Sequence, residues 1–285
     1  QEAACLHLRI RRRFSVPQME KEEPPSSLRS EGSDLDAVVT EVVQDFPDGS
    51  ASWISIGHVQ RMLRATEGDE ELAVKKLKDS VVWKRDTLDG WLQSQAESLP
   101  TAETRVIAIG QESRPLVYSG CVNQRRGEVA GVILACVWHK ALEEAGPTAQ
   151  MDYVLDAHGY QPLLNLNFMP YLNVAGSLNS YFAERFHRIV LLDVPTVMSV
   201  LMKAILPVLP QKTREKLFFV RRDQPDSLSA LHDLCVNEGM KEMLQQLLRM
   251  NGEATSSDGR EATRLLTSKF LASQRARAAP IPEPE

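Results

Sequence analysis

The string Asp156-Ala157-His158-Gly159 follows an apolar run, Tyr153-Val154-Leu155, that reads as a strand. Ligands of α/β proteins gather at the C-terminal ends of strands, and a carboxylate with an imidazole can share a metal ion. A two-metal phosphatase would need further Asp, Asn and His ligands on later strand ends, because each ion takes several. Apart from Asp193, the chain offers only the scattered His187 and His232. The plainer expectation is that Asp156 hydrogen-bonds a strand-to-loop turn. The sequence also contains no Gly-x-Ser-x-Gly elbow, no Gly-x-x-x-x-Gly-Lys-Ser/Thr phosphate loop, no Gly-x-Gly-x-x-Gly and no His-Glu-x-x-His. The expectation is a protein without catalysis, cofactor or metal.

The elements around that string belong to an ordinary globular chain. Hydrophobic residues make up 43% of the 285 positions and charged residues 25%, which argues against wholesale disorder and against a coiled-coil rod. A net charge of -5 speaks against a protein whose affinity comes from neutralising nucleic-acid phosphates. Trp83, Trp91 and Trp138 accordingly read as packing residues rather than a stacking surface. Cys5, Cys121, Cys136 and Cys235 form no Cys-x-x-Cys pair, so a reducing, cytoplasmic setting is expected. The longest apolar stretches, 129–138 and 194–209, are too short or are broken by Pro195, Lys203 and Pro207, so no spanning helix is expected. The chain opens on Gln1 rather than Met and shows no apolar signal region, which leaves the natural start and any targeting peptide open.

Residues 1–33 mix arginines with a Glu-Pro-Ser run and read as a disordered arm. From Asp34 the spacing of Leu35, Val38, Val39, Val42 and Val43 predicts one helix face, with Asp34 as cap. Helices over 56–65 and 70–85 follow, completing a helical unit at 34–98. Strands are predicted at 105–109, 115–118, 153–156, 189–194 and 217–220, and helices at 129–137, around Leu178, Tyr181, Phe182 and Phe186, and over 196–206. Alternating strands and helices predict an open α/β sheet with right-handed crossovers over 99–250. Two more helical stretches lie within 227–250, and the Gly-, Ser-, Ala- and Pro-rich segment 251–285 reads as a disordered tail.

Taken in order, these segments resemble the CRAL-TRIO family, which includes phosphatidylinositol, tocopherol and retinaldehyde carriers. Arg61-Met62-Leu63-Arg64-Ala65, Ala73-Val74-Lys75-Lys76-Leu77 and Val82-Trp83-Lys84-Arg85 are similar to its N-terminal helical unit. Ser113-Arg114-Pro115-Leu116-Val117-Tyr118 resembles its Gly-Arg-Pro-Val-Val-Tyr strand, and Tyr153 to Gly159 its Val-Asp-x-x-Gly strand. The block Tyr181-Phe182-Ala183-Glu184-Arg185, the run Ile189 to Pro195 and Leu209-Pro210-Gln211-Lys212-Thr213-Arg214-Glu215-Lys216 are the most specific match. Ala183 stands where proline is usual, Asp193-Val194 replaces Asn-Ala, and the family's Gly-Gly after the last strand is missing.

The resemblance implies a CRAL-TRIO fold: a helical subdomain, then a mostly parallel open sheet with helices, whose apolar cavity is closed by a gate helix at 196–206. It implies non-catalytic binding, transfer or sensing of one lipophilic molecule by a monomer that touches membrane surfaces transiently. The expected pocket and gate residues are Val117, Tyr118, Tyr153, Leu155, Leu191, Val197, Met198, Leu201, Met202 and Ile205. The alternative is a protein-interaction module of the same fold that binds a partner such as a small GTPase without lipid. In phosphatidylinositol-transferring relatives a basic Arg-Lys pair follows Arg-Phe-Leu-Arg-Ala; Thr66 and Glu67 stand there in this chain. A glutamate repels phosphate and offers no donor, so weak phosphatidylinositol preference is expected unless Lys212 and Arg214 supply the contacts.

Overall fold

A computed structural model describes residues 34–99, 102–123, 130–161, 169–196, 206–209, 211–224 and 228–253, together with 198, 202 and parts of 265–273. The arm at 1–33 lies outside the described residues, and so does much of the expected gate helix.

Three helices open the described chain: α1 (Leu35–Gln44), α2 (Ile56–Ala65) and α3 (Glu70–Trp83). Each start is fixed by a side chain that takes up orphan backbone donors. Asp34 accepts from the amides of Asp36 and Ala37, and Asp69 accepts from that of Leu72 at 2.9 Å. At α2 the Ser55 amide donates to His58 Nδ1 at 3.2 Å, closing a capping box. The buried stripes of the three helices, among them Val38, Val42, Val59, Met62, Leu77 and Val81, form one small core. Beyond Trp83 a π-helical turn, Lys84–Leu88, leads into α4 (Asp89–Gln95).

The remainder is an α/β unit built on a five-stranded sheet of order β1-β2-β3-β4-β5: β1 (Thr104–Ile109), β2 (Pro115–Gly120), β3 (Met151–Asp156), β4 (Phe186–Leu192) and β5 (Leu217–Val220). The first pair is antiparallel and the rest are parallel, so β2 to β5 need crossovers. The described helices of this unit are α5 (Ala130–Ala145), α6 (Met169–Ser177), α7 (Gln211–Glu215), α8 (Ser229–His232) and α9 (Glu238–Glu253). Buried Arg61 joins the helical unit to the α/β unit by donating from Nη1 to the Ala183 carbonyl at 2.6 Å. The tryptophans pack as expected: Trp83 lies edge-on to Trp91 and Phe182, and Trp138 edge-on to Phe186 at 4.8 Å.

Three expectations are corrected. The spacing of Leu178, Tyr181, Phe182 and Phe186 mimics a helix face, yet the helix here is α6, ending at Ser177. Residues 178–184 are turns, with the Phe182 amide donating to the Ser177 carbonyl, and Phe186 starts β4. β4 stops at Leu192 rather than Val194, because Asp193 adopts a left-handed conformation with φ 51. Within the segment read as a tail, α9 continues to Glu253, while Leu266 and Phe270 pack against the apolar cluster under α9.

Candidate functional site

Successive side chains of a strand point to opposite faces, so each strand supplies two walls. On the first face Val117, Tyr153, Ile189 and Leu191 belong to one buried cluster, with Val106, Leu155 and Leu217 packed against it. α5 covers part of that face through Val132, Ile133, Cys136, Val137 and Trp138, and α6 adds Val174 and Ala175. On the second face Leu116, Tyr118, Val154, Val190, Leu192 and Val220 meet Met240, Met243, Leu244, Leu247 and Leu248 of α9.

Val117, Tyr153, Leu155 and Leu191 therefore share the first face, as the expected pocket wall requires. Tyr118 does not: as the neighbour of Val117 on a pleated strand, it points to the second face and is covered there. From the gate segment, Met202 and Leu206 are partly buried against the first-face cluster and Met198 is buried; just beyond it, Leu209 belongs to the cluster. Val197, Leu201 and Ile205 lie outside the described residues.

The second face carries a locked polar network. Buried Asp156 accepts from Tyr118 Oη at 2.6 Å, from Arg222 Nη2 at 2.7 Å and from the His158 amide at 3.1 Å. Arg222 also grips Asp193 and donates from Nη1 to the Leu248 carbonyl of α9 at 2.8 Å. Asn251 Nδ2 donates to Tyr118 Oη at 2.6 Å. Burial, and then the Asp156 charge, push the Tyr118 phenol well above its usual range, so it stays a donor. Asp156 is thus the hydrogen-bonded end of β3 that the plainer reading expected. Among the described residues no His, Cys, Asp and Glu group could hold a metal ion.

The first face differs in kind. The strands present hydroxyls to it: Tyr153 Oη donates to Ser119 Oγ at 3.1 Å, and Ser119 Oγ lies 2.7 Å from Thr104 Oγ1. Burial holds the Tyr153 phenol above its usual range. Two residues beyond Ser119, burial followed by the charges of Asp156 and Glu103 pushes the Cys121 thiol up to about 12. Ser119, Thr104, Ile189, Leu217 and Phe219 are not among the expected wall residues, although counting by two from Val117 reaches Ser119 and from Leu191 reaches Ile189.

At the position where the phosphatidylinositol carriers have a basic pair, Thr66 Oγ1 bonds back to the Met62 carbonyl at 3.1 Å. Glu67 pairs with Lys212 Nζ at 3.1 Å, so one of the two candidate head-group cations already faces a carboxylate.

Residues 110–236 match the CRAL/TRIO domain. That stretch therefore carries a CRAL/TRIO domain, and the open, mostly parallel sheet with its covering helices has the architecture of a CRAL-TRIO fold. Lipid binding or transfer is the function that the family defines. Among solved structures the chain is similar to the crystal structure of Sfh5 at 14% identity and a TM-score of 0.49, with 64% of this chain and 75% of that chain covered. No curated protein matches the chain. Among the described residues no helix is long and apolar enough to cross a membrane.

Proposed function

We propose that this chain holds one lipid or other lipophilic molecule against the first face of its sheet, beneath the segment 196–206, and carries or senses it without catalysing a reaction. One observation supports this above others: Val117, Tyr153, Leu155 and Leu191 share a face, and Met202 and Leu206 pack on that same cluster. Val197, Met198, Leu201 and Ile205 complete the gate in this reading. Each methylene of a chain buried there contributes about 0.8 kcal/mol, so a long alkyl or isoprenoid chain needs no strong polar anchor. The Glu67–Lys212 pair favours a lipophile other than phosphatidylinositol, because binding a phosphate there would mean breaking an existing ion pair.

The test is native mass spectrometry of the gently purified chain before and after incubation with vesicles of phosphatidylinositol, phosphatidylcholine and sterol. The expected result is one lipid-sized mass per chain, without enrichment of phosphatidylinositol. A chain that stays empty under every condition removes the carrier reading and leaves the partner-binding alternative. Strong enrichment of phosphatidylinositol removes the head-group reading alone.

A further inference from the structure

The strand register arranges the first face in rows that cross the sheet. One row runs Thr104, Ser119, Leu155, Leu191, Phe219, each residue paired with the next across adjacent strands. Its β1–β2 end is made of buried hydroxyls and its β4–β5 end is apolar, with Phe219 44% exposed. From Ser119 to Phe219 is roughly 14 Å, three strand spacings of ~4.8 Å. A wall that is polar at one end and apolar along the rest suits an amphipathic molecule laid across the strands.

The hydroxyl end has spare capacity. Thr104, Ser119 and Tyr153 bring three O–H donors, and the two bonds among them use two. The Tyr153 hydrogen goes to Ser119, so the third hydrogen sits on Thr104 or Ser119, with no acceptor for it among the described residues. A buried donor without an acceptor is a cost that a ligand oxygen would remove. None of these three side chains carries a positive charge with which to hold a phosphate or carboxylate.

We infer that the hydroxyls of Thr104, Ser119 and Tyr153 receive a neutral oxygen, an alcohol or a carbonyl, at one end of the bound lipophile, whose apolar length runs across the strands toward Leu191 and Phe219. This rests on the carrier reading above and adds to it the ligand's orientation and the chemistry of its polar end.

The test uses the full chain and phosphatidylcholine vesicles doped equally with hexadecanol, hexadecane and hexadecyl phosphate. The protein is re-isolated and its bound lipid is quantified. Hexadecanol should load ahead of the other two. In the double variant Thr104→Val, Ser119→Ala, the preference for hexadecanol over hexadecane should fall by about tenfold, the change that corresponds to one ordinary hydrogen bond. Retained hexadecane uptake shows that the variant still folds, and Thr104→Val alone serves if the double variant does not. An alcohol preference equal in wild type and variants overturns the assignment of these hydroxyls while the carrier reading stands. Preferential loading of phosphatidylcholine or hexadecyl phosphate overturns it too, because a charged head group is then the one accepted. Uptake of none of the probes overturns both.

Discussion

The two faces of the sheet are made from the same five strands and are finished in different ways. The second is closed by a long amphipathic helix and by a network in which Asp156, Arg222, Asp193, Tyr118 and Asn251 satisfy one another. On the first, α5 together with Met202 and Leu206 packs on an apolar cluster, and the sheet itself contributes three hydroxyls sharing two bonds. A face meant to stay shut can afford charges, since partners held in place offset their desolvation. A face that takes up a lipophile is better served by neutral groups that can change partner at small cost. Under the proposed function, the difference teaches that stability is concentrated on one side of the sheet and binding on the other.

The largest expected effect comes from breaking the second face. Asp156→Ala removes the carboxylate between Tyr118 and Arg222 and should cost about 3 kcal/mol or more, read from urea unfolding midpoints. Leu244→Ala, at a fully buried position under the sheet, should cost about 2–4 kcal/mol. That loss should be the same in lipid-loaded and lipid-free protein. A cost that shrinks on loading would place lipid on the second face and reverse the comparison.

Acid should act through the helical unit and α5 rather than through the second face. Burial, and then the charges of Arg61 and Arg185, lower the His58 pKa from 6.5 to about 3, and its Nδ1 is an acceptor in the α2 cap. The unfolded chain therefore binds a proton that the folded chain refuses, and stability is lost as pH falls from about 6.5 toward about 3. By linkage the loss reaches about 2 kcal/mol by pH ~5. His139 shifts the same way, chiefly through burial, and hydrogen-bonds Tyr181 in the first-face cluster. His58→Gln keeps a capping acceptor and should flatten the pH dependence of the melting temperature; an unchanged slope would show that the histidine is not its source.

The smallest effect on stability belongs to the proposed gate. Met202→Asp alters a side chain only partly buried against the first-face cluster and should cost less than about 1 kcal/mol, since the carboxylate can turn to water. It should nevertheless strongly reduce lipid uptake from vesicles. Normal uptake in a folded variant would mean that Met202 does not close over the ligand.

The strands were legible because 115–118, 153–156, 189–192 and 217–220 are apolar runs bounded by turn residues. The turns at 178–184 are not legible as turns, because aromatic side chains gathering on one core repeat at nearly helical spacing. Tyr118 cannot share the wall with Val117, because consecutive residues of a strand point to opposite faces. Thr104 and Ser119 carry no sequence signal of their own, because short polar residues at strand ends look like strand boundaries. No sequence signal could have joined Asp156 to Arg222, which are 66 positions apart and meet only through the parallel order of β3, β4 and β5.

The central claim is that lipid lies on the first face, and photolabelling tests it most directly. A diazirine-tagged hexadecanol, loaded from vesicles and activated in the folded protein, should label Val117, Tyr153, Leu155 and Leu191 when the adducts are located by residue-resolved mass spectrometry. Labelling instead at Leu116, Tyr118, Val154 or Leu192, the alternate residues of the same strands, would contradict the account.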